Sequence, residues 1–328
     1  MIFKNHQSKI LYCSSYLPKK VFYNDDLKKY INTSDEWIRS RTGIVSRHIS
    51  EIEEKTEDLG IKAVKNLVFN LENQNKINDI DLILVATSSH NKCFPSIATK
   101  IHQEILSSSK EIPAFDIQAA CSGFIYGLEI ADNFIKSGKY KSILFVTPEK
   151  MSSLINWEDR STCILFGDGA SACIIEKSND EKSKFLDIIL KTNGKFYDFL
   201  YTEKNNDTSS LNHSIIKMKG QNVFKNAIEK MSSIVEEILN RNNINFNQVK
   251  FFIFHQANAR IIQNIKKKFN IDEEKIVITI DKHANCSAAS IPLAINHLLN
   301  LKRIKRGDLI ATIAFGAGFT WGAALITW

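Results

Sequence analysis

Three side chains that could carry out thiol chemistry each stand beside small residues at the end of an apolar segment. Cys121 precedes a helical pattern, His255 follows a run typical of a buried strand, and Asn285 precedes the sequence CSAAS. A cysteine at the start of a helix faces unpaired backbone N–H groups, which favour the thiolate and lower its pKa. Such a thiolate can attack a thioester, while neutral histidine and asparagine donate hydrogen bonds to an enolate.

Each of these residues also has a purely structural interpretation. Cys121 could be a packed thiol at a tight strand–helix junction, and His255 a core histidine bonded to the backbone. Asn285 could belong to a turn that starts a helix. Taken singly, the residues leave both interpretations open. Together they form the set needed for acyl transfer through a cysteine thioester and for stabilising the enolate that a malonyl group forms on losing CO2.

The elements that would position these residues alternate along the chain. Continuous apolar runs rich in Ile and Val predict strands buried on both faces at 82–87, 142–147, 173–176, 250–254, 275–280, 309–314 and 323–327. Helical spacing predicts helices at 57–69, 97–106, 124–137, 223–240 and 257–269. A capping pattern at 33–36 predicts a further helix that carries Trp37 and Arg41. The alternation predicts an α/β fold, and the polar segment 203–214 predicts a loop.

Composition narrows the class of protein. The chain has 328 residues, 44% of them hydrophobic, with a formal net charge of +7. This moderate charge suits an acidic partner, but no basic block indicates nucleic-acid binding. No apolar run reaches the ~20 residues of a membrane span, and no signal peptide is recognisable, so we expect no membrane insertion and a cytoplasmic location. The six cysteines show no zinc-ligand spacing, and we expect no metal site.

Several motifs are spread over nearly the whole chain, at 15–27, 33–44, 119–124, 166–172, 255–258, 284–292 and 315–325. In this order they resemble the β-ketoacyl-acyl carrier protein synthase III family of the thiolase superfamily. The resemblance implies a five-layered αβαβα homodimer of two similar halves, 1–175 with the cysteine and 176–328 with the histidine and asparagine. It implies decarboxylative Claisen condensation of a short-chain acyl-CoA with malonyl-acyl carrier protein, which initiates fatty-acid biosynthesis and needs no cofactor beyond these substrates.

The resemblance also implies roles for individual residues. Cys121 matches the acylated nucleophile, His255 and Asn285 match the pair that supports decarboxylation, and the backbone of Cys121 and Ala317 matches the oxyanion hole. The other implied positions are Trp37, Arg41 and Arg160 for coenzyme A, Phe94, Met218 and Phe315 for the acyl pocket, and Lys225, Arg260 and Lys267 for the carrier protein. Phe94 is implied to cross the dimer interface into the partner's acyl pocket.

Some positions depart from the family pattern. Ala284 and Cys286 flank Asn285 where glycine and threonine are usual, Ser171 replaces a glycine, and Ala317 interrupts a run of glycines. A methyl group at Ala317 is tolerated if φ is negative and strains the turn if φ is positive. These departures leave open an acyltransferase of the same fold or a condensing enzyme of a secondary-metabolite pathway. A cysteine hydrolase is a further alternative, but it would need a water-activating base.

Overall fold

The computed structural model describes residues 7–71, 74–106, 110–179, 182–204 and 214–328, so most of the polar segment 203–214 lies outside the described residues. Its strands are β1 Gln7–Tyr16, β2 Val21–Tyr23, β3 Ser46–His48, β4 Leu82–Ala86, β5 Ala114–Ile117, β6 Ser142–Lys150, β7 Asp168–Ser178, β8 Lys184–Thr192, β9 Leu200–Lys204, β10 Ser214–Met218, β11 Phe251–Phe254, β12 Leu309–Gly316 and β13 Thr320–Thr327. Its α-helices are α1 Asp35–Thr42, α2 Thr56–Asn70, α3 Ile97–Ile105, α4 Gly123–Lys136, α5 Gly220–Arg241, α6 Ala259–Phe269, α7 Ile280–His283 and α8 Ser290–Asn300.

Two large sheets repeat one strand pattern. The first has the order β1-β7-β6-β4-β5, in which β4 is parallel to β5 and β6 while β7 is antiparallel to β6 and β1. The second has the order β11-β12-β13-β8, with β11 parallel to β12 and the other pairs antiparallel. Ile276 forms a parallel bridge to Phe252 on β11, at the place that β5 holds beside β4.

The helices lie in three layers around these sheets. Apolar residues of α4 and α8 share one buried cluster with residues from both sheets, so these two helices lie between them. Helices α2 and α3 cover the outer face of the first sheet, and α5 and α6 cover the outer face of the second. This αβαβα arrangement confirms the predicted fold. No helix of the described residues is long and apolar enough to cross a membrane.

The structure changes two predictions about the elements. The boundary after residue 175 falls inside β7, and the chain moves to the other sheet between Ser178 and Lys184. The strand predicted at 275–280 is wrong, because this segment makes only the bridge at Ile276 before α7 begins. The Gln256 side chain takes the place of a strand partner there, with Nε2 donating to Val277 O and Oε1 accepting from Thr279 N at 2.8 Å.

Candidate active site

Cys121 lies in a short 3-10 turn, Ala120–Ser122, between β5 and α4. Gly316, at the end of β12, approaches this turn so closely that a Cβ there would be 2.9 Å from Cys121 N and 3.0 Å from Ser122 N. Ser122 Oγ also donates to Thr320 O on β13 at 3.0 Å. The second sheet therefore fixes the turn that carries the cysteine of the first half.

Cys121 and Ala317 line the same cavity, whose volume is about 360 Å³. Its walls combine apolar and polar side chains, namely Met151, Leu154, Phe166, Leu200 and Ile216, with Ser88, Tyr197, Tyr201, Thr202 and Ser287. Ala317 is not among the residues with positive φ, whereas the following Gly318 has a φ of 124°. The methyl group at Ala317 therefore causes no backbone strain, because its conformation is open to any L-residue.

The acidity of Cys121 differs from the expectation based on a helix start. Burial, with a smaller contribution from the nearby Glu149 carboxyl group, raises the pKa of the Cys121 thiol to about 12, and a hydrogen bond with Ser287 opposes this rise. The predicted lowering of this pKa is wrong for this arrangement, because the loss of hydration outweighs the effect of the helix N-terminus. The thiol is therefore the resting form at neutral pH.

His255 directly follows β11 and is only 2% exposed. Its backbone N–H donates to Ile313 O at 2.7 Å, so it lies beside the strand that ends at Gly316. Burial lowers the pKa of the His255 imidazole to about 3, which keeps the ring neutral at physiological pH. Its Nδ1 is buried without a hydrogen-bond partner among the described residues.

Asn285 is 6% exposed and is held by the backbone on both sides. Its N–H donates to Leu165 O at 3.0 Å, and its carbonyl oxygen accepts from Gly167 N at 3.1 Å. Its side-chain Oδ1 accepts from Ser287 N at 2.8 Å. Because this bond occupies the side-chain oxygen, the NH₂ group is the end that can donate to a substrate oxygen.

The predicted residues converge where several strands end. Cys121 follows β5, His255 follows β11, and Ala317 follows β12. Asn285 is linked through its hydrogen-bond partner Ser287 to the wall of the cavity that Cys121 lines. The carboxyl ends of strands in open α/β sheets are the usual place for a binding site.

The residues predicted to hold coenzyme A lie together on one side of the molecule. Trp37 projects from α1, whose N-cap Ser34 accepts from Trp37 N at 3.1 Å. The guanidinium carbon of Arg160 lies 3.7 Å from the centre of the Trp37 ring. Arg41 follows four residues after Trp37 and thus shares its helix face. A stacked indole and guanidinium offer flat surfaces for a purine base.

The residues predicted to line the acyl pocket do not line the cavity. Phe94 is 84% exposed, while Phe315 is buried with its ring centre 4.6 Å from that of Phe319. Met218 is half-buried at the end of β10. The sequence missed the apolar residues that do line the cavity, although one of them, Phe166, begins the quoted motif at 166–172.

A basic surface cleft of about 290 Å³ lies between α1 and α6. Two of the residues predicted to dock the carrier protein, Arg260 and Lys267, line it together with Arg39. The Arg260 guanidinium lies 5.2 Å from the ring centre of Phe224 on α5, next to the third predicted residue, Lys225. Arg39, which sequence reasoning missed, pairs with Asp35 at 2.6 Å.

A cysteine turn, a neutral histidine and a donor asparagine at the junction of two repeated halves define a condensing acyltransferase of the thiolase fold. The sequence pattern described as 3-Oxoacyl-[acyl-carrier-protein (ACP)] synthase III matches residues 115–194, and the pattern of its C-terminal part matches residues 239–328. The chain is 46% identical over 98% of its length to Beta-ketoacyl-[acyl-carrier-protein] synthase III of Rickettsia akari (strain Hartford), of which 99% is covered. The chain belongs to this family.

Solved structures agree with this assignment. The 3-oxoacyl-[acyl-carrier-protein] synthase III of Aquifex aeolicus VF5 is 42% identical with a TM-score of 0.90, covering 98% of this chain and 100% of that one. The priming β-ketosynthase of the R1128 polyketide biosynthetic pathway is 27% identical with a TM-score of 0.90, covering 98% and 97%. The fold of this chain is thus shared with a synthase III and with the priming ketosynthase of a polyketide pathway.

Proposed function

We propose that this protein condenses a short-chain acyl-CoA with malonyl-acyl carrier protein and releases 3-oxoacyl-carrier protein, CoA and CO2. The observation that carries the proposal is the position of Cys121 on a cavity, together with a neutral His255 at a strand end and an Asn285 whose NH₂ end is left to donate. Simple acyl transfer needs the thiol alone. The two donors match the needs of a reaction that passes through an enolate.

The first half-reaction acylates the cysteine. Cys121 Sγ attacks the thioester carbonyl of acyl-CoA, and its oxyanion accepts hydrogen bonds from the backbone N–H groups of Cys121 and Ala317. The S–C bond to CoA then breaks, and CoA leaves as the thiol with the proton that Cys121 loses. Because Cys121 rests as a thiol, proton removal belongs to this step.

The second half-reaction forms the carbon–carbon bond. The malonyl group loses CO2, and the enolate oxygen that forms accepts hydrogen bonds from His255 and Asn285. A neutral imidazole can fill this role, because one of its ring nitrogens carries an N–H that donates to the enolate oxygen. The enolate carbon attacks the acyl-Cys121 carbonyl, the C–S bond breaks, and the thiolate takes up a proton again.

The size of the cavity favours a short acyl chain. The cavity of about 360 Å³ must also admit the thioester arm of the donor, which limits the space left for the acyl chain. Its apolar residues, such as Leu154 and Ile216, suit an alkyl group. We place the product in fatty-acid initiation, with a secondary-metabolite pathway as the alternative.

Two groups of surface residues suit the binding of CoA and of the acyl carrier protein. Trp37, Arg41 and Arg160 would bind the CoA nucleotide through stacking and phosphate contacts. Lys225, Arg260 and Lys267 would dock the acidic carrier protein, and the net charge of +7 would speed this encounter. The reaction needs no metal or prosthetic group, and we propose that it takes place in the cytoplasm.

We also propose that the protein works as a homodimer. Phe94 exposes 84% of its surface, so its ring is available for burial by a partner chain. Burial of this ring in a partner's acyl pocket would remove that surface from water and close the pocket. Sedimentation of the wild type and of Phe94→Ser at matched concentrations tests the idea, and a monomeric wild type would contradict it.

Intact-mass spectrometry with a panel of acyl-CoAs, followed by malonyl-acyl carrier protein, tests the function. We expect the mass of one acyl group on Cys121, strongest for short chains, and then loss of that mass with release of one CO2. Cys121→Ala should remain unacylated, whereas Asn285→Ala should become acylated but condense poorly. Acylation followed by transfer without CO2 release would indicate an acyltransferase, and rapid acyl-CoA hydrolysis would indicate a hydrolase.

A further inference from the structure

Glu149, near the end of β6, is a fully buried carboxyl group that the proposed reaction does not use. Its Oε2 accepts from Ser89 Oγ at 2.9 Å, from Ser88 N at 3.1 Å and from Thr87 Oγ1 at 3.2 Å. Its Oε1 accepts from Ala288 N at 3.4 Å. Backbone N–H groups can only donate, so this environment requires an acceptor at both carboxyl oxygens.

The segments that Glu149 joins belong to the catalytic cavity. Ser88 and Ser287 both line its wall. The 3-10 turn Ser287–Ala289 packs against β6 on one side and against the turn of Cys121 on the other. Glu149 therefore lies behind the cavity and holds two of its walls through hydrogen bonds.

One of these walls sets the direction of the Asn285 side chain. Ser287 N donates to Asn285 Oδ1 at 2.8 Å, which leaves the NH₂ end for the substrate. The next backbone N–H along the turn, that of Ala288, donates to Glu149. A displacement of the turn would move both donors together, because they belong to consecutive residues.

The same carboxyl group has an unfavourable effect on the nucleophile. Its negative charge raises the pKa of the Cys121 thiol, while the Ser287 hydroxyl lowers it. A site built only for a reactive thiol would not place a carboxylate there.

We propose that Glu149 is a positioning residue for condensation: its carboxylate holds the turn Ser287–Ala289 so that Asn285 donates to the enolate. The inference rests on the proposed function. It assigns the two half-reactions opposite responses to the loss of one charge, and a residue that served only general stability would not produce this pattern.

Glu149→Gln tests the proposal, because it keeps the size of the side chain and removes the charge. We expect alkylation of Cys121 by iodoacetamide at fixed pH to become about tenfold faster, equivalent to about one pKa unit. We expect CO2 release from malonyl-acyl carrier protein by the pre-acylated variant to fall about tenfold or more, because the Asn285 donor is displaced. Peptide mass spectrometry must locate the alkyl group, since Cys93 is also exposed.

Further variants separate charge from position. Glu149→Asp keeps the charge on a shorter arm, so alkylation should stay near the wild-type rate while CO2 release falls. Ser287→Ala removes the hydroxyl group but keeps the N–H that binds Asn285, so alkylation should slow with a smaller effect on CO2 release. Among the neighbours of Cys121, Glu149 is the group whose charge raises the thiol pKa, since His255 is neutral and the thiol of Cys286 is buried with its pKa also raised. Burial raises the pKa of the Glu149 carboxyl group as well, and hydrogen bonds from Ser88, Ser89, Ser287 and Ala288 oppose this rise.

Asp168→Asn is the matched control. Asp168 is an equally buried carboxyl group that accepts from Ser50 N and Ser152 N, each at 2.8 Å. Its removal should leave the alkylation rate of Cys121 within about twofold. The proposal is overturned if Glu149→Gln condenses like the wild type, or if both half-reactions fall in parallel with the melting temperature. If Glu149→Gln does not fold, the CO2 release of Glu149→Asp tests the proposal in its place. A wild-type protein that fails to condense would contradict the proposed function and not the role of Glu149.

Discussion

Gly316→Ala should disable the nucleophile without changing any reactive side chain. The added Cβ would lie 2.9 Å from Cys121 N, 3.0 Å from Ser122 N and 3.3 Å from Ala119 O. Ordinary contacts between such atoms are about 3.4 Å or longer, so the two segments must separate by about half an ångström. All three atoms belong to the backbone of one turn and cannot rotate away. The clash therefore acts on the position of the turn itself.

Overpacking of this kind costs about 1–3 kcal/mol of stability. The loss of activity should be larger than this suggests, because Gly316 precedes Ala317 and the clash includes the Cys121 N–H proposed for the oxyanion hole. Since a misplacement of 1 Å can cost about 100-fold, we expect acylation by acetyl-CoA to slow about 10- to 100-fold. Quenched-flow intact-mass spectrometry would measure the acylation rate, and differential scanning calorimetry the stability.

Gly194→Ala provides the control for adding a methyl group. Nothing lies within 4 Å of the position that its Cβ would take, and its φ is not in the positive range. This variant should acylate at the wild-type rate and keep or slightly gain stability. If Gly316→Ala is acylated as fast as the wild type, the contact between β12 and the cysteine turn has no catalytic importance and the reasoning fails.

Further predictions concern the backbone at Ala317, the acidity of the Cys121 thiol and two surface arginines. Ala317→Gly should change the condensation rate less than about twofold and lower the melting temperature slightly, because the alanine is unstrained and glycine adds chain entropy; a large gain in rate would contradict this. Alkylation of Cys121 by iodoacetamide should rise about tenfold per pH unit from pH 7 to 9, because the thiolate fraction grows tenfold per unit below a pKa of about 12; a plateau below pH 8 would refute the raised pKa. Arg160→Ala should raise KM for acyl-CoA about tenfold and leave acyl-pantetheine, which lacks the nucleotide, unaffected. Arg260→Glu should raise KM for malonyl-acyl carrier protein in a salt-dependent way but not KM for acyl-CoA, and equal effects on both would exclude a docking role.

The α/β class was predictable because its strands are apolar without interruption, whereas the five-layered arrangement was implied by the family resemblance. Segments such as 82–87 and 142–147 can be stable only between two helical layers, and both became central strands. The edge strands β1 and β8 were not predicted, because only part of each is buried and their apolar pattern is weaker. The segment 275–280 shows the opposite error, because it was predicted as a strand and is not one. Its backbone bonds to the side chain of Gln256 instead of to a neighbouring strand.

The sequence by itself determined the reactive groups and the family. Cys121, His255 and Asn285 lie in motifs whose order along the chain is distinctive. This order can be read from the sequence without any structure. The alternation of strands and helices around them also followed from periodicity, because strand and helix spacing reports which faces are buried. Motifs and apolar spacing depend only on residues that are near one another in the sequence.

Only the tertiary structure decided the environment of those groups. The pKa of Cys121 depends on burial and on Glu149, which lies on β6, a different strand from the one that precedes Cys121. The unstrained φ of Ala317, the lining by Phe166 and Ile216, and the NH₂ direction of Asn285 are likewise set by contacts between distant segments. Hydration and hydrogen-bond geometry depend on all neighbours in space, and a sequence names those neighbours only after the chain has folded.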